Sequence, residues 1–175
     1  MSISNLAKKI KLLILDVDGV MTDGGLYFDE NGKEIKRFNA LDGHGIKMLL
    51  ENNIEVAIIS GRLNKTVEFR AKNLGIKHCY LGVNDKNIAF IDLIKILKIT
   101  KNEIAYVGDD IIDLPVMTQV CLPIAVKNAH IEVKKISKYI THEIGGNGAV
   151  REVCDEILKA QGRYDIILQK YLTQN

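Results

Sequence analysis

Aspartates crowd two short stretches of this chain. In Asp16-Val17-Asp18-Gly19-Val20, continued by Met21-Thr22-Asp23-Gly24, two carboxylates stand at i and i+2 beside glycines. A glycine lets the backbone approach a ligand closely. In Gly108-Asp109-Asp110-Ile111-Ile112-Asp113 the carboxylates are denser still. Such carboxylates raise one another's pKa unless a cation lies between them. A hard divalent ion removes the problem, and Mg2+ needs only one or two protein carboxylates besides phosphate and water. The plainer alternatives are an Asp- and Gly-rich turn for the first stretch and, for Asp110 or Asp113, a helix N-terminus that favours negative charge. Ser60-Gly61-Arg62 offers a phosphate a hydroxyl, an unhindered N–H and a guanidinium. Lys86 opens a helical segment, where its ammonium and the helix N-terminus both favour an anion. Alone, Lys86 reads as a solvated surface residue; its weight comes from the other three groups.

These groups need a frame that brings them together. Residues 12–15, 56–59, 104–107 and 122–126 are apolar at successive positions, which suits strands covered on both faces of a parallel sheet. Pro123 places the last of them at or near an edge. Between the runs, Ile46, Leu49 and Leu50, then Phe90, Leu93, Ile94 and Leu97, then Val150, Val153, Cys154, Ile157 and Leu158 recur at helical spacing. Asn64 reads as an N-cap and Gly75 as the glycine that ends that helix. Alternating strand and helix predicts a three-layer α/β domain. The acidic and phosphate-suited groups follow strands or open a helix, at the end of the sheet where ligand crevices lie. One stretch departs from the alternation: Leu26-Tyr27-Phe28 and Ile35-Lys36-Arg37-Phe38 flank Asp29-Glu30-Asn31-Gly32, and Asn-Gly signals a hairpin. A hairpin over about 25–38 is therefore inserted after the first strand. Residues 162–175 read as a polar tail that a partner would order.

At 175 residues the chain fits one domain, 1–175, with a self-sufficient core. A net charge of +2, with the basic residues scattered, argues against nucleic acid or an anionic membrane as partner. Cys79, Cys121 and Cys154 are odd in number and in no metal-ligand spacing, as expected of reduced thiols. Met1 to Lys11 lacks the pattern of a secretory leader, and the apolar runs fall far below the ~20 residues that span a bilayer. A cytoplasmic protein is the expectation.

Taken in order and spacing, Asp16–Val20, Ser60-Gly61-Arg62, Lys86 and Gly108–Asp113 resemble the four motifs of haloacid dehalogenase-type phosphatases. The hairpin, Asn39-Ala40-Leu41-Asp42-Gly43-His44-Gly45 and the segment Gly145–Cys154 are similar to one branch, the small capless 3-deoxy-D-manno-octulosonate 8-phosphate phosphatases. The resemblance implies a Rossmann-like α/β/α parallel sheet without a cap domain. It also implies Asp16 as a nucleophile that becomes phosphorylated and Asp18 as the acid and then the base. Mg2+ would be held by Asp16, the Asp18 backbone carbonyl and Asp109. Ser60 and Lys86 would hold the transferring oxygens, with Asp110 and Asp113 orienting Lys86 or metal-bound water. Around the sugar acid the family would place Asn39, Ala40, Leu41, Asp42, Gly43, Lys47, Gly61, Arg62 and Arg70, with Asp18 and Lys86 nearby; His44, between two glycines, reads as lining the pocket or as a loop residue. The implied substrate is the 8-phosphate of that sugar acid, in lipopolysaccharide precursor biosynthesis. The alternatives are a 9-phosphorylated nonulosonate of the sialic acid type, or a non-catalytic oligomerisation module. The resemblance further suggests a homotetramer built on the hairpins.

Overall fold

Leu12 to Leu15 are apolar at every position because β1 (Leu12–Leu15) is the inner strand of the sheet, and all four side chains are fully buried. The computed structural model describes residues 3–173. A short helix α1 (Ile3–Ala7) precedes β1, and the hairpin strands β2 (Tyr27–Phe28) and β3 (Glu34–Ile35) follow it. Then come α2 (Ala40–Glu51), β4 (Glu55–Ser60), α3 (Lys65–Leu74), β5 (His78–Leu81) and α4 (Lys86–Leu97). The second half contributes β6 (Ile104–Gly108), α5 (Leu114–Met117), β7 (Leu122–Ala125), α6 (Ile131–Ile136), β8 (Tyr139–Ile140), α7 (Ala149–Ala160) and α8 (Tyr164–Thr173). No described helix is long and apolar enough to cross a membrane.

The six-stranded sheet runs β5-β4-β1-β6-β7-β8, parallel throughout. The chain winds outward from β1 through β4 to β5, then returns to the other side of β1 as β6. That reversal puts a crevice at the carboxyl ends of β1 and β6, where open α/β sheets bind ligands. Helices α1, α2, α7 and α8 form one packed group and α4 and α5 another, and together they flank the sheet. The expected α/β/α parallel fold is the observed one. Asn64 caps α3 by accepting from Thr66 N at 2.8 Å, and Gly75 ends it with φ +82°.

Two strands escaped the sequence reading. β5 is half-buried along its length and β8 has only two residues; both sit at sheet edges, where one flank is open and the apolar run shortens. Pro123 lies near an edge, on β7, and its carbonyl accepts from Lys138 N at 2.9 Å.

The tail corrects its expectation. Through Thr173 it is not left for a partner to order: Tyr164–Thr173 forms α8, with Ile167 buried and the Arg163 guanidinium on the Asn52 carbonyl. Tyr164, Ile167, Leu168 and Tyr171 fall at helical spacing, an apolar stripe short enough to be read as scattered residues. The terminal residues Met1, Ser2, Gln174 and Asn175 lie outside the described residues. His44 is also corrected, from a loop to α2, where its ring meets Tyr171 edge-on at 5.7 Å. The glycines around it serve close helix packing: a Cβ at Gly45 would press on Arg151 and Cys154 of α7 at 3.0–3.1 Å.

The loop between β8 and α7 braces the loop after β1. Gly146 N donates to Val20 O at 2.9 Å and Gly145 N to Asn128 Oδ1 at 3.0 Å. A Cβ on Gly145 would lie 1.7 Å from Gly19 O, so any side chain there must push the β1 loop aside. Gly145→Ala should therefore lower stability by about 1–3 kcal/mol, the usual cost of overpacking. Urea unfolding at a fixed metal concentration measures it, and an unchanged midpoint would contradict the packing described.

Candidate active site

Backbone geometry assembles the site from three strand ends. Asp16 directly follows β1, and its N–H still donates to Val107 O at 3.1 Å, so the residue is fixed by the sheet. Beyond it the chain turns sharply. Thr22 Oγ1 donates to Val17 O and accepts from Gly19 N and Gly24 N, each at 3.3 Å, which ties the loop to itself. Gly19 sits at φ +87°, and a Cβ there would lie 2.1 Å from Asp109 Oδ2. The glycine thus lets the Asp109 carboxylate rest against the β1 loop.

Lys86 is the first residue of α4 and, unlike a surface lysine, is buried. Its Nζ lies 2.8 Å from Asp16 Oδ1 and 2.7 Å from Asp113 Oδ1. Asp113 is saturated: Oδ1 also accepts from Tyr106 Oη at 2.7 Å, and Oδ2 accepts from Asp109 N at 3.0 Å and Asp110 N at 3.3 Å. Asp110 caps the short 3-10 turn over Ile111–Asp113 with a bond from Ile111 N at 2.7 Å. Tyr106 was not read from the sequence as a site residue, because in β6 it looks like one more core side chain.

Carboxylate oxygens of Asp16, Asp109 and Asp113 all fall within 4.8 Å of one another. Burial and then the Asp113 charge raise the Asp16 pKa to about 7, against the pull of Lys86. Burial, followed by repulsion from Asp16, Asp113 and Asp110, raises Asp109 to about 8. Burial works to lower the pKa of Lys86, but Asp16 and Asp113 outweigh it and raise it. Three carboxylates face one ammonium here, leaving two negative charges that a divalent cation would balance. Among the described residues Asp109 Oδ1 is buried without a hydrogen-bond partner, while both oxygens of Asp113 are taken. The residues that fit an oxygen-ligated divalent ion are therefore Asp16 and Asp109, with Asp113 fixing Lys86 and the backbone beside them.

Asp16, Asp18, Gly24, Ser60, Gly61, Arg62, Asp109, Asp110 and Ile112 line a cleft of about 250 Å³. A neighbouring cleft of about 410 Å³ continues past Gly61 to Asn84, Asp85 and Lys86. A larger one, about 590 Å³, lies at the opposite end of the sheet among Lys8, Lys9, Lys11 and Arg163. Its lone carboxylate among the described residues, Glu103, is paired with Lys11, so it offers no free carboxylate beside an acidic pair, and the smaller cleft is the candidate active site.

The fold brings Asp16, Asp18, Ser60, Gly61, Arg62, Lys86, Asp109, Asp110 and Asp113 to one place. The remaining expected sugar contacts lie elsewhere in the chain. Asn39 caps α2 by accepting from Leu41 N at 2.7 Å. Asp42 is buried and accepts from Arg151 N at 2.8 Å. Gly43 makes room for Arg70, whose Nη2 would sit 2.2 Å from a Cβ there and which donates to Asn39 O at 3.1 Å. These residues surround a narrow crevice of their own, beside Met21 and Phe38. Ala40, Leu41 and Lys47 are exposed on α2. Glu34 and Lys36, by contrast, were not singled out from the sequence, yet Lys36 pairs with Asp18 and Glu34 with Arg62. Their i, i+2 spacing, which puts both on one face of a strand, was the available signal.

The comparisons with known proteins follow the same lines. The haloacid dehalogenase-like hydrolase family matches residues 83–153. The chain is 55% identical over 159 residues to the 3-deoxy-D-manno-octulosonate 8-phosphate phosphatase of Salmonella typhi, covering 91% of this chain and 85% of that protein. The crystal structure of the phosphatase of that name from Yersinia pestis superposes with a TM-score of 0.92 at 48% identity, over 93% of this chain and 88% of the other. The Moraxella catarrhalis phosphatase, solved in complex with magnesium ion, phosphate ion and a KDO molecule, gives 0.93 at 42% identity over 96% and 97%. With its sheet, its acidic cluster and this likeness running nearly end to end, the chain belongs to the 3-deoxy-D-manno-octulosonate 8-phosphate phosphatase family of haloacid dehalogenase-like hydrolases.

Proposed function

We propose that the chain is a Mg2+-dependent phosphatase that hydrolyses 3-deoxy-D-manno-octulosonate 8-phosphate to the free sugar acid and phosphate, in lipopolysaccharide precursor biosynthesis. The observation that carries the chemistry is the buried Asp16 carboxylate, held 2.8 Å from Lys86 beside the unpartnered Asp109 Oδ1. For the substrate, the support is the named relatives, which favour the eight-carbon sugar acid over a nine-carbon one.

Asp16, Asp109 and the Asp18 backbone carbonyl would hold Mg2+, which when bound offsets the repulsion between the carboxylate nucleophile and a phosphate dianion. An Asp16 oxygen attacks phosphorus as the bond to the sugar oxygen breaks, giving an aspartyl phosphate. Asp18 gives its proton to the departing alkoxide. As a carboxylate, it then takes a proton from the water that attacks the phosphoryl group, releasing phosphate and regenerating Asp16. Lys86 neutralises the transferring oxygens, held in aim by Asp113, and Ser60 and the Gly61 backbone offer donors on the other side. Arg62, at the mouth, suits the carboxylate end of the sugar.

We also propose a cytoplasmic homotetramer in which neighbouring hairpins wall the cleft, since a capless site needs some cover to exclude water. Leu26, Phe28 and Ile35 of the hairpin are each more than half exposed, an apolar surface that a two-stranded hairpin does not stabilise alone.

Phosphate release from the 8-phosphate, against a 9-phosphorylated nonulosonate, tests the function. Asp16→Asn should abolish turnover with the fold intact, and Asp18→Asn should cost roughly two to four powers of ten. Multiple turnover by Asp16→Asn free of deamidation would rule out the covalent route. EDTA should stop the reaction and excess Mg2+ restore it. The metal has a pH signature as well. Carboxyl pKa values raised in the native state mean that it binds more protons than the unfolded chain, so metal-free stability should fall as pH rises from about 4 to 8. Mg2+ should reverse this most strongly at the alkaline end, by about 2.7 kcal/mol at one hundred times Kd. Thermal melts across that range, with and without Mg2+, decide it; melts flat with pH and blind to Mg2+ would remove the metal from Asp16 and Asp109. For the assembly, Leu26→Ser with Phe28→Ser should give smaller particles in light scattering, whereas a fully active wild-type monomer would exclude the tetramer.

A further inference from the structure

Lys36 is out of place by ordinary rules. Its neighbours Ile35 and Arg37 point to solvent, yet the Lys36 side chain is only 2% exposed, on a hairpin of two-residue strands. A buried ammonium costs several kcal/mol unless paired, and Lys36 has two partners: the Asp18 carboxylate, and Glu34 Oε1 at 3.0 Å. The other Glu34 oxygen receives Arg62 Nη2 at 3.1 Å and Asn64 Nδ2 at 2.9 Å. Asn64 is itself anchored, since its Oδ1 caps α3.

Asp18, Lys36, Glu34 and Arg62 thus form a row of alternating charge with no net excess, drawn from the loop after β1, the hairpin and the loop after β4. Its two ends, Asp18 and Arg62, line the catalytic cleft, while Lys36 and Glu34 are not among the cleft-lining residues. We infer that Lys36 and Glu34 are positioning residues: the hairpin fixes the aim of the Asp18 carboxylate and of the Arg62 guanidinium through this charged bridge, within its own subunit. The inference rests on the phosphatase reading, in which Asp18 moves protons. Asp18 needs such a brace. It sits on a loop with about a quarter of its side chain exposed, and Lys36 is the only side chain bonded to it among the described residues. Misplacing a reacting group by about 1 Å can cost ~100-fold in rate.

A double-mutant cycle separates this from a merely structural latch. Lys36→Met should lower kcat on the sugar phosphate by about 10- to 100-fold, with KM changed far less. Introduced on the Asp18→Asn background, the same substitution should cost less than about twofold, because there is no longer an acid–base group to aim. p-Nitrophenyl phosphate, whose leaving group needs no proton, spares that background the acid step and leaves only the base step slowed, so all four proteins of the cycle are also compared on it. Glu34→Gln should lower kcat less than Lys36→Met but raise KM for the sugar phosphate, since Arg62 loses its anchor. Lys36→Arg, which keeps the charge, should recover part of the rate and covers the case in which Lys36→Met folds poorly. Light scattering and thermal melts of each variant report assembly and fold. Equal losses from Lys36→Met with and without Asp18, or no loss in either background, would overturn the inference. A wild-type protein inactive on every phosphate ester would instead overturn the phosphatase reading itself.

Discussion

Negative charge concentrated at the carboxyl ends of β1 and β6 governs the rest of this molecule. Asp16, Asp109 and Asp113 converge where the winding of the sheet reverses, in surroundings too dry to screen them. One buried ammonium, Lys86, stands among them and leaves room for a dication. Such a cluster opposes folding until its charges are balanced, and that opposition is also its use. A carboxylate that is not stabilised by solvent or by many donors stays nucleophilic, and an oxygen without a partner, such as Asp109 Oδ1, is ready for a hard cation. Asp113 shows the opposite disposition. Four donors saturate it, so it can hold Lys86 and two backbone amides without competing for phosphate.

Holding such charges still demands a stiff scaffold. β1 is fully buried and ladders into both neighbours, so Asp16 inherits the rigidity of the sheet rather than of a loop. The loop that follows is less secure by nature. It is braced three times over: by Thr22 within it, by the Gly145-Gly146 segment behind it, and by Lys36 of the hairpin beside it. Each brace reaches it from a different part of the sequence, which holds Asp18 on the loop beside the sheet-fixed Asp16, as the proposed acid–base and nucleophilic roles require.

Much of this is legible in the sequence. Continuous apolar runs marked the four inner strands because a parallel strand must be apolar on both faces. The position of Asp16, Ser60 and Asp109 just after such runs located the crevice, since strand ends in an open sheet point to one edge. Asn64, Gly75 and the Asn31-Gly32 turn were readable because each solves a local backbone problem with its own side chain or lack of one. The edge strands β5 and β8 were missed for the converse reason: partial burial leaves no continuous run. α8 was missed because an isolated apolar stripe of about two turns does not declare what it packs against.

The sequence by itself determined which chemistry is possible, because carboxylate, lysine and serine side chains carry their reactivity wherever they are placed, and strand periodicity fixed the edge on which they stand. It also determined the hairpin, whose turn is a local matter. Only the tertiary structure decided how the aspartates divide their labour: Asp113 is satisfied by donors from three segments and Asp109 is not, a distinction that depends on long-range neighbours rather than residue type. It likewise placed Asp42 and Gly43 in helix packing instead of the cleft, and brought Lys36, eighteen residues along the chain, onto Asp18. Pairings of that kind are set by how loops from separate strands meet in space, and no local pattern encodes them.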